Sequence, residues 1–369
     1  MESVVSAVME PKPAAPSAEF WRGKRVFLTG HTGFKGGWLS LWLTRLGAQV
    51  TGYALPPEGE RNLFTLARIE EVVASRFGDV RDAAGLAAAM RAADPEIVLH
   101  LAAQPLVRLS YEDPLSTFAT NVMGTANLLE AARRCPSLRA MVMITSDKCY
   151  ENREWDWPYR ENEAMGGYDP YSASKGCAEL AIAAWRRSYF NAPESPGVAS
   201  VRAGNVVGGG DWSADRLVPD CIRAFSAGAP ISIRSPRAIR PWQHVLEPLR
   251  GYMLVAERLW QAPRHYSEGW NFGPVQDDVK PVLWVVARVA ELWGGGARWE
   301  VPGGTHPHEA IQLRLDSTKA RTQLDWTPRI HLVQCLEWTV KWYREVYAGA
   351  PAQPVTVRQI ELYEQLLAA

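Results

Sequence analysis

The chain has 369 residues, 47% hydrophobic and 22% charged, which is enough for a globular protein of two lobes. It carries 40 lysines and arginines against 40 aspartates and glutamates, so the formal net charge is zero. The chain therefore has no basic excess of the kind that would indicate nucleic acid or a membrane surface as a partner. The five cysteines are dispersed and form no CxxC pair, which favours reduced thiols in the cytoplasm over a disulfide framework or a zinc site.

The N-terminal stretch differs in composition from the rest of the chain. Residues 1–20 are rich in proline and alanine and lack the basic segment that opens a signal peptide. We predict a flexible tail there. No apolar run reaches the length of a transmembrane helix.

Short apolar segments alternate with helical patterns along the first 205 residues. The predicted strands are residues 26–29, 48–55, 75–80, 96–103, 140–146 and 198–202, and the predicted helices are residues 38–46, 83–93, 117–134 and 170–189. This alternation implies βαβ crossovers and a parallel sheet. The predicted fold class is α/β, a Rossmann-type doubly wound parallel sheet with a smaller α/β C-terminal substrate lobe.

The pattern changes after residue 205, which predicts a domain boundary. Residues 21–205 form a dinucleotide-binding domain in this interpretation, joined again by about 241–273, where a helix (245–259) and a strand (269–272) are indicated. About 206–240 and 274–369 build the smaller lobe.

A glycine motif follows the first predicted strand. Gly30, Gly33 and Gly36 have the spacing GxxGxxG and lead into a helix. Gly30 permits the tight turn, Gly33 the close approach of a pyrophosphate, and Gly36 close packing of helix on strand. The helix N-terminus offers free N–H groups to the phosphates. A purely structural turn can have the same spacing, so the assignment of this motif to a dinucleotide depends on residues later in the chain.

Tyr171 and Lys175 stand four apart on a helix that Asp169 caps and Pro170 begins, so they share one face. A lysine ammonium beside a nicotinamide depresses the pKa of a phenol. The tyrosinate can then take a hydroxyl proton while hydride leaves the same carbon. An ordinary amphipathic helix also contains YxxxK by chance. The glycine motif and the strand ending at Ser146 favour the functional interpretation.

Together these motifs resemble the extended short-chain dehydrogenase/reductases over about residues 22–330. The matching segments are TGxxGxxG at 29–36, the acidic turn Gly78-Asp79-Val80, HLAA at 100–103, Asn121, YxxxK at 171–175, and RxxN at 202–205 followed by Gly208. The resemblance implies cofactor contacts at Gly30, Thr32, Gly33, Phe34, Lys35, Gly36, Asp79, Val80, Leu101, Ala102, Ala103, Gln104, Asn121, Thr145, Tyr171 and Lys175. It implies substrate contacts at Gln104, Ser146, Asn205, Arg216 and Arg240, catalytic roles for Ser146, Asp147, Lys148, Tyr171 and Lys175, and no metal.

The run from Thr145 to Tyr150, TSDKCY, selects a subgroup. It is similar to the nucleotide-sugar 4,6-dehydratases, which usually have Glu where this chain has Lys148. With GHTGFKG (30–36) and RAGNVVGGGDW (202–212), it resembles most those acting on CDP-glucose. The resemblance implies a cytoplasmic lyase of deoxysugar biosynthesis, a homodimer or homotetramer that makes CDP-4-keto-6-deoxy-D-glucose and recycles NAD internally. A dehydratase, epimerase or reductase acting on another nucleotide sugar, and a non-enzymatic NAD(P) sensor, stay open.

The implied chemistry assigns roles within that run. Oxidation at C4 of the hexose acidifies the C5 proton, a base removes it, and an acid protonates the departing C6 hydroxyl. Asp147 is the expected acid and needs a raised pKa. Lys148 is either the C5 base, with a lowered pKa, or a cation that stabilises the enolate.

Several other residues leave alternatives open. Residues 53–56, after the second strand, contain no acid for the ribose hydroxyls, and Arg61 and Lys35 lie near, so NADP is not excluded although the resemblance implies NAD. Arg240, with Arg234 and Arg237, is either a diphosphate clamp or a solvated charged face. His31 is expected to shape its loop. His308 and Glu309, without further ligands, predict a loop rather than a metal site.

Overall fold

The computed structural model describes residues 15–59, 61–233, 235–301 and 312–369. The strands are β1 Arg25–Thr29, β2 Gln49–Ala54, β3 Ala74–Phe77, β4 Ile97–His100, β5 Ala140–Ile144, β6 Gly197–Ala203, β7 Val206–Val207, β8 Ile231–Ser232, β9 Ile239–Pro241, β10 Gln243–His244, β11 Gly269–Phe272, β12 Val279–Pro281 and β13 Trp299–Glu300. The α-helices are α1 Ala18–Trp21, α2 Phe34–Arg45, α3 Leu63–Leu66, α4 Ala83–Ala93, α5 Val107–Glu112, α6 Pro114–Phe118, α7 Gly124–Ala132, α8 Pro170–Ser188, α9 Leu217–Ser226, α10 Leu246–Gln261, α11 Pro263–Tyr266, α12 Val282–Trp293, α13 Thr318–Leu324, α14 Leu332–Tyr347 and α15 Ala352–Ala368. A π-helical turn spans Ala119–Met123, and a 3₁₀ turn spans Asp147–Cys149.

Seven parallel strands form the central sheet, in the order β3-β2-β1-β4-β5-β6-β11. Thr29 is in register with Tyr53 on one side and His100 on the other, so three strands end on one line. The chain reverses direction across the sheet between β1 and β4, which is where ligands bind in such folds. The Rossmann-type fold class is confirmed.

Alternate residues of each strand feed two separate apolar cores, because side chains of a strand point to opposite faces. Val26 and Leu28 join the core beneath α2 and α10, whereas Phe27 joins the core beneath α4, α7 and α8. Helices therefore cover both faces of the sheet, and buried parallel strands of this kind are apolar throughout.

The helix bounds follow the capping residues. Asp82 and Asp169 cap α4 and α8 by accepting hydrogen bonds from backbone N–H groups, and the Asp169 cap is the one predicted. The single helix predicted over residues 117–134 is instead α6, the π turn and α7. The π turn contains Asn121, whose amide bonds the Gln104 backbone in the neighbouring loop, and π turns often lie at functional sites.

The smaller lobe consists of three two-stranded ribbons and the helices α9, α12 and α14. The last helix, α15, packs on α2 of the larger domain: Trp42 and Tyr363 meet edge to face at 5.7 Å, and Trp42 Nε1 donates to Glu364 at 3.0 Å. Residues 352–368, assigned from the sequence to the smaller lobe, thus also contact the sheet domain. The division into two binding lobes stays a prediction.

The N-terminal segment is anchored to α10. The Ser17 backbone N–H and the Trp21 indole N–H both donate to Glu257 Oε1, at 2.8 and 2.7 Å, and Trp21 is fully buried. The prediction of a flexible tail as far as residue 20 is therefore wrong for residues 17–20, and residues 1–14 lie outside the described part. Within the described residues, no helix is both long and apolar enough to cross a membrane.

Candidate active site

The turn between β1 and α2 has the geometry of a phosphate cradle. Gly30 has φ +76°, and a Cβ there would lie 2.8 Å from Ala102 N. A Cβ at Gly36 would lie 2.1 Å from the Gly30 carbonyl oxygen, so only glycine allows α2 to approach this turn. At Gly33 the nearest atom is 3.4 Å away, which leaves the N-terminus of α2 open. This geometry matches the structural roles predicted for Gly30 and Gly36, and the approach of a pyrophosphate at Gly33 stays a prediction.

The side chains around the cradle hold its shape. Thr32 Oγ1 donates to the Leu55 carbonyl at 3.0 Å, tying the turn to the end of β2. His31 is fully buried and bonds Ser75 Oγ through Nε2 at 2.7 Å, and burial lowers its pKa to about 4. Gly52 leaves room for the imidazole ring, since a Cβ there would lie 2.3 Å from it. His31 is thus a neutral structural group.

The acidic turn after β3 is ordered by its neighbours. Asp79 accepts from the Arg81 guanidinium, and hydrogen bonds from Arg81 lower the pKa of that carboxyl. Val80 is buried, with its carbonyl held by Asn127.

Arg61 lies over Tyr347 and Trp212, with its guanidinium carbon 4.9 and 5.9 Å from the ring centroids. It is thus occupied by aromatic side chains of the smaller lobe.

The segment after β4, Leu101 to Gln104, is held from both sides. Ala102 N donates to Thr29 Oγ1 at 3.1 Å, and Asn121 exchanges hydrogen bonds with the Gln104 backbone at 2.8 and 3.1 Å. The Gln104 amide is committed to Leu106 and Thr117. Leu101, Ala102 and Ala103 remain half-exposed at the strand end. Backbone groups, rather than the Gln104 side chain, are therefore offered to ligands here.

Asn121 joins this segment to the helix that carries the predicted catalytic pair. Its amide donates to Ser174 Oγ at 2.9 Å, and Ser174 donates to the Tyr171 carbonyl at 2.7 Å. Asn121 is 1% exposed, so the π turn places a buried amide between the loop after β4 and helix α8.

Tyr171 lies beside Ser146, which follows β5, and Lys175 lies one helical turn further on, beside Cys149 and Glu179. Burial raises the pKa of Tyr171 to about 12, opposed by a hydrogen bond with Ser146. Burial lowers the pKa of Lys175 to about 8, opposed by Cys149 and Glu179. In the protein alone the phenol is neutral at physiological pH and the lysine is mostly charged, so a further positive charge is needed to ionise the phenol.

Asp147 faces the same cleft from the 3₁₀ turn after β5. It is 5% exposed, and Ser146 Oγ donates to its Oδ1 at 2.9 Å. Burial raises the pKa of Asp147, while the charges of Lys148 and Arg240 oppose the rise. Lys148 is half-buried next to it. The pKa of this carboxyl is thus shifted in the direction that a general acid requires.

Two cations predicted for different ligands share this cleft. Burial and the Arg216 charge lower the pKa of Lys35 to about 7, and Asp147 and Lys175 also act on it. Arg216 donates to Asp211 at 2.8 Å and is close enough to Tyr171 to feel its charge. The glycine loop thus projects an amine toward the reacting groups, which a role in cofactor binding alone did not predict.

The structure gives less information on the remaining predicted site residues. Arg240 is buried at the base of the smaller lobe, and Asn205 lies half-buried after β6 with its carbonyl bonded to Gln243 N. Arg237 is exposed. Arg234, His308 and Glu309 fall outside the described residues. Among the residues described, no group of three or more His, Cys, Asp or Glu side chains is placed to hold a metal.

Glu179 and Asp211, two side chains that contact predicted site residues, were not singled out from the sequence. Thr145 Oγ1, expected at the cofactor, instead donates to Glu179 at 2.5 Å, and Glu179 was not singled out at all. Asp211, the partner of Arg216, was also missed. The only local signal for Glu179 is its position four residues after Lys175, on the same helix face.

A phenol and an ammonium on one helix face, beside a cradle built for pyrophosphate, suit transfer of hydride between a dinucleotide and a hydroxyl-bearing substrate. Fold and site together define a short-chain dehydrogenase/reductase. More narrowly, the chain belongs to the GDP-mannose 4,6 dehydratase family, whose model matches residues 27–339. The family predicted from the sequence is confirmed.

Known relatives narrow the comparison further. The chain is 54% identical over 348 residues to the CDP-glucose 4,6-dehydratase of Salmonella typhimurium, covering 93% of this chain and 97% of that protein. It is 29% identical over 285 residues to the dTDP-glucose 4,6-dehydratase of Neisseria gonorrhoeae, covering 72% and 79%. The crystal structure of a double mutant of DesIV, a dTDP-glucose 4,6-dehydratase from Streptomyces venezuelae with NAD bound, superposes with a TM-score of 0.74 at 22% identity, covering 90% of this chain and 99% of that one.

Proposed function

We propose that this protein is a CDP-glucose 4,6-dehydratase, a lyase that converts CDP-D-glucose to CDP-4-keto-6-deoxy-D-glucose for deoxysugar biosynthesis. The observation that carries the proposal is the 54% identity to the Salmonella enzyme, which extends over 93% of the chain. The buried Asp147 beside Tyr171 supports dehydration in particular, because a simple epimerase or reductase needs no second acid.

The residues present fit NAD as the cofactor. The open N-terminus of α2 above Gly33 suits the pyrophosphate, and the Asp79–Val80 turn suits the adenine. Arg61, the cation that would bind the 2′-phosphate of NADP, is stacked on Tyr347 and Trp212, which favours NAD. When bound, NAD accepts hydride from C4 and returns it to C6, so none is consumed overall.

The first step depends on Tyr171 and Lys175. Tyr171 takes the proton of the C4 hydroxyl as hydride leaves C4. Ser146 hydrogen-bonds the Tyr171 phenol oxygen and, in this proposal, the C4 hydroxyl oxygen as well. The Lys175 ammonium supplies part of the positive charge that lowers the phenol pKa from about 12. A neutral lysine at this position would leave the phenol too weak a base.

The second step depends on the 3₁₀ turn. Asp147 is the acid of this step and gives its proton to the departing C6 hydroxyl, and burial raises its pKa in the direction that such a role requires. Lys148, next to Asp147, acts on the other side of the elimination. It either removes the C5 proton as a neutral amine or stabilises the enolate as a cation, and the two roles predict different exchange of the C5 proton.

The substrate diphosphate is assigned to the cations of the smaller lobe. Arg216 and Arg240 both act electrostatically on residues of the cleft, Arg216 on Tyr171 and Arg240 on Asp147. Two guanidinium groups at this position suit a diphosphate, and Asn205 lies in the loop after β6 at the same edge. The CDP group then extends over the smaller lobe.

We further propose that the working form is a homodimer or homotetramer. Large apolar side chains remain exposed on the adjoining helices α5, α6 and α8 and on the π turn, including Leu115 (81% exposed), Leu180 (60%) and Met123 (56%). Apolar surface of this kind is commonly covered by a second copy of the chain. All five cysteines lie in the described part and carry free thiols, which supports a reducing, cytoplasmic location.

Incubation with CDP-glucose, dTDP-glucose, GDP-mannose and UDP-glucose in parallel tests the proposal. We expect the alkali-induced absorbance of a 4-keto-6-deoxy sugar with CDP-glucose and at least about tenfold less with the others. Tyr171→Phe is the matched control and should lose about a hundredfold or more while still binding NAD, because the cradle is unchanged. Preference for another nucleotide, or a product that keeps its C6 hydroxyl, would contradict the proposal.

A further inference from the structure

Behind the catalytic helix lies a buried ion pair that the reaction scheme above does not use. Glu179 on α8 and Arg202 on β6 are 3% and 4% exposed. Arg202 Nε donates to Glu179 Oε1 at 2.8 Å and Nη2 donates to Oε2 at 2.7 Å, a bidentate contact. Thr145 Oγ1 and Ser200 Oγ donate to the same carboxylate at 2.5 and 2.7 Å. Within the described residues, these donors to Glu179 are side chains of β6 and of the residue that follows β5.

The pair also reaches the far end of the turn that carries Asp147 and Lys148. Arg202 Nη1 donates to Tyr150 Oη at 2.6 Å, and Tyr150 donates to Asn271 Oδ1 at 2.8 Å. Thr145 precedes Ser146, and Tyr150 follows Cys149. One ion pair therefore fixes both ends of the segment 146–149.

The same helix rests directly on that segment. A Cβ at Gly176, the residue after Lys175, would lie 3.1 Å from the Cys149 carbonyl oxygen. Glu179 is one helical turn beyond Lys175. The position of Lys175 along the cleft and the position of the 3₁₀ turn are consequently set by one carboxylate.

The surroundings of Glu179 keep its carboxyl ionised. Burial opposes its ionisation, but the Arg202 charge and the hydrogen bonds from Arg202, Thr145 and Ser200 outweigh burial and lower the pKa of this carboxyl. A permanent anion thus lies behind Lys175. The other groups facing Lys175 are Tyr171 on its own helix, Cys149, His100 of β4 and Lys35 of α2. Of these, burial keeps His100 and Cys149 neutral, since it lowers the pKa of His100 to about 3 and raises that of Cys149 far above its usual range.

We propose that Glu179 is a positioning residue for this reaction, one that acts through Lys175 and through the 145–150 segment. Its carboxylate, clamped by Arg202, holds the ammonium of Lys175 charged and in place for the first step. It also holds the turn bearing Asp147 and Lys148 in register with Tyr171 for the second. The inference rests on the proposed function, since the reacting residues are those assigned there.

Steady-state and single-turnover kinetics of Glu179→Gln with CDP-glucose test the proposal. The amide keeps the size of the side chain and loses its charge. We expect kcat to fall about tenfold to a hundredfold, as misplacement of reacting groups does, with KM within about threefold. The alkaline limb of the kcat profile should move to lower pH, because Lys175 loses its anion and gives up its proton more readily.

Two variants separate positioning from simple loss of stability. Arg202→Met removes the opposite charge and should move the alkaline limb to higher pH, although it also disrupts the pair. Glu257→Gln removes another buried carboxylate, the one that anchors Trp21 and Ser17, and should leave kcat and the pH profile unchanged. If Glu179→Gln does not fold because Arg202 is left unpaired, the double variant Glu179→Gln/Arg202→Met leaves no buried charge and should fold with the same fall in kcat.

The possible results divide cleanly. A wild-type enzyme inactive on every nucleotide sugar would overturn the proposed function and this role with it. An active wild type whose Glu179→Gln or double variant retains kcat within about threefold, with an unmoved pH profile, overturns the positioning role alone. Equal pH shifts in the same direction for Glu179→Gln and Arg202→Met would also overturn it, because only a structural effect is blind to the sign of the charge removed.

Discussion

Asp147→Asn should separate dehydration from oxidation. The Asp147 carboxyl is 5% exposed, Ser146 Oγ donates to its Oδ1 at 2.9 Å, and a Cβ at Gly204 would lie 3.2 Å from its Oδ2. Asparagine has the same shape and can accept the same hydrogen bond, so the free energy of unfolding should change by no more than about 1 kcal/mol. Only the transferable proton is lost.

The expected loss follows from the closure of the site. With so little exposure, water is poorly placed to protonate the C6 hydroxyl in place of Asp147, so elimination should lose the usual weight of a positioned acid, about a hundredfold or more. That factor corresponds to about 3 kcal/mol of transition-state stabilisation. Oxidation at C4 uses Tyr171 and should continue at nearly the wild-type rate.

Single-turnover absorbance of the reduced nicotinamide is the appropriate assay, because a slow release step would mask the chemistry in steady state. In Asp147→Asn the signal should rise as in the wild type and then persist, with a 4-keto hexose that still carries its 6-hydroxyl. Dehydration at the wild-type rate would refute the assignment. So would a folded variant that no longer reduces NAD, because Asp147 would then belong to the first step.

Three further predictions address the base, the pH dependence and the assembly. Lys148→Ala should abolish entry of solvent deuterium at C5 if lysine is the base, and should slow but retain it if lysine is only a stabilising cation. Burial raises the pKa of Glu257 from 4.5 to about 7, so its contribution to the free energy of unfolding is full below pH 4.5 and is lost as pH rises to 7. In urea unfolding the wild type should lose about 3 kcal/mol more stability over that range than Glu257→Gln does. Leu115→Asp and Leu180→Asp should yield monomers by light scattering where the wild type is at least a dimer, whereas Leu283→Asp, equally apolar but on α12, should not; a monomeric wild type at micromolar concentration contradicts the proposed assembly.

Local spacing was sufficient to predict much of the fold. The order of the six strands through β6, the bounds of α4 and the cap of α8 follow from apolar periodicity and from single capping residues, whereas the short helices α1, α3 and α5 were not predicted. Part of the cradle is encoded equally locally, because Gly30 has a positive φ and a Cβ at Gly36 would meet the Gly30 carbonyl oxygen within the same turn. Tyr171 and Lys175 lie together because the helix repeat places residues four apart on one face.

Contacts between distant segments decided the rest, and no local pattern contains them. The π turn carries Asn121, whose amide bonds Gln104 and Ser174, 17 and 53 residues away. The Thr145 hydroxyl donates to Glu179, 34 residues on. Periodicity gives which face of an element is apolar, but not which element covers that face.

The longest-range contacts show the limit most clearly. Ser17 is anchored to Glu257, 240 residues on, and Trp42 on α2 bonds Glu364 on α15, 322 residues on. The sequence by itself determined the cofactor cradle, the Tyr171–Lys175 pair and the acid at the end of β5, because each lies within a few residues of the element that places it. Only the tertiary structure decided that Glu179 and Arg202 brace that site, since their pairing depends on how α8 packs across β6 and on the burial that makes each charge require the other.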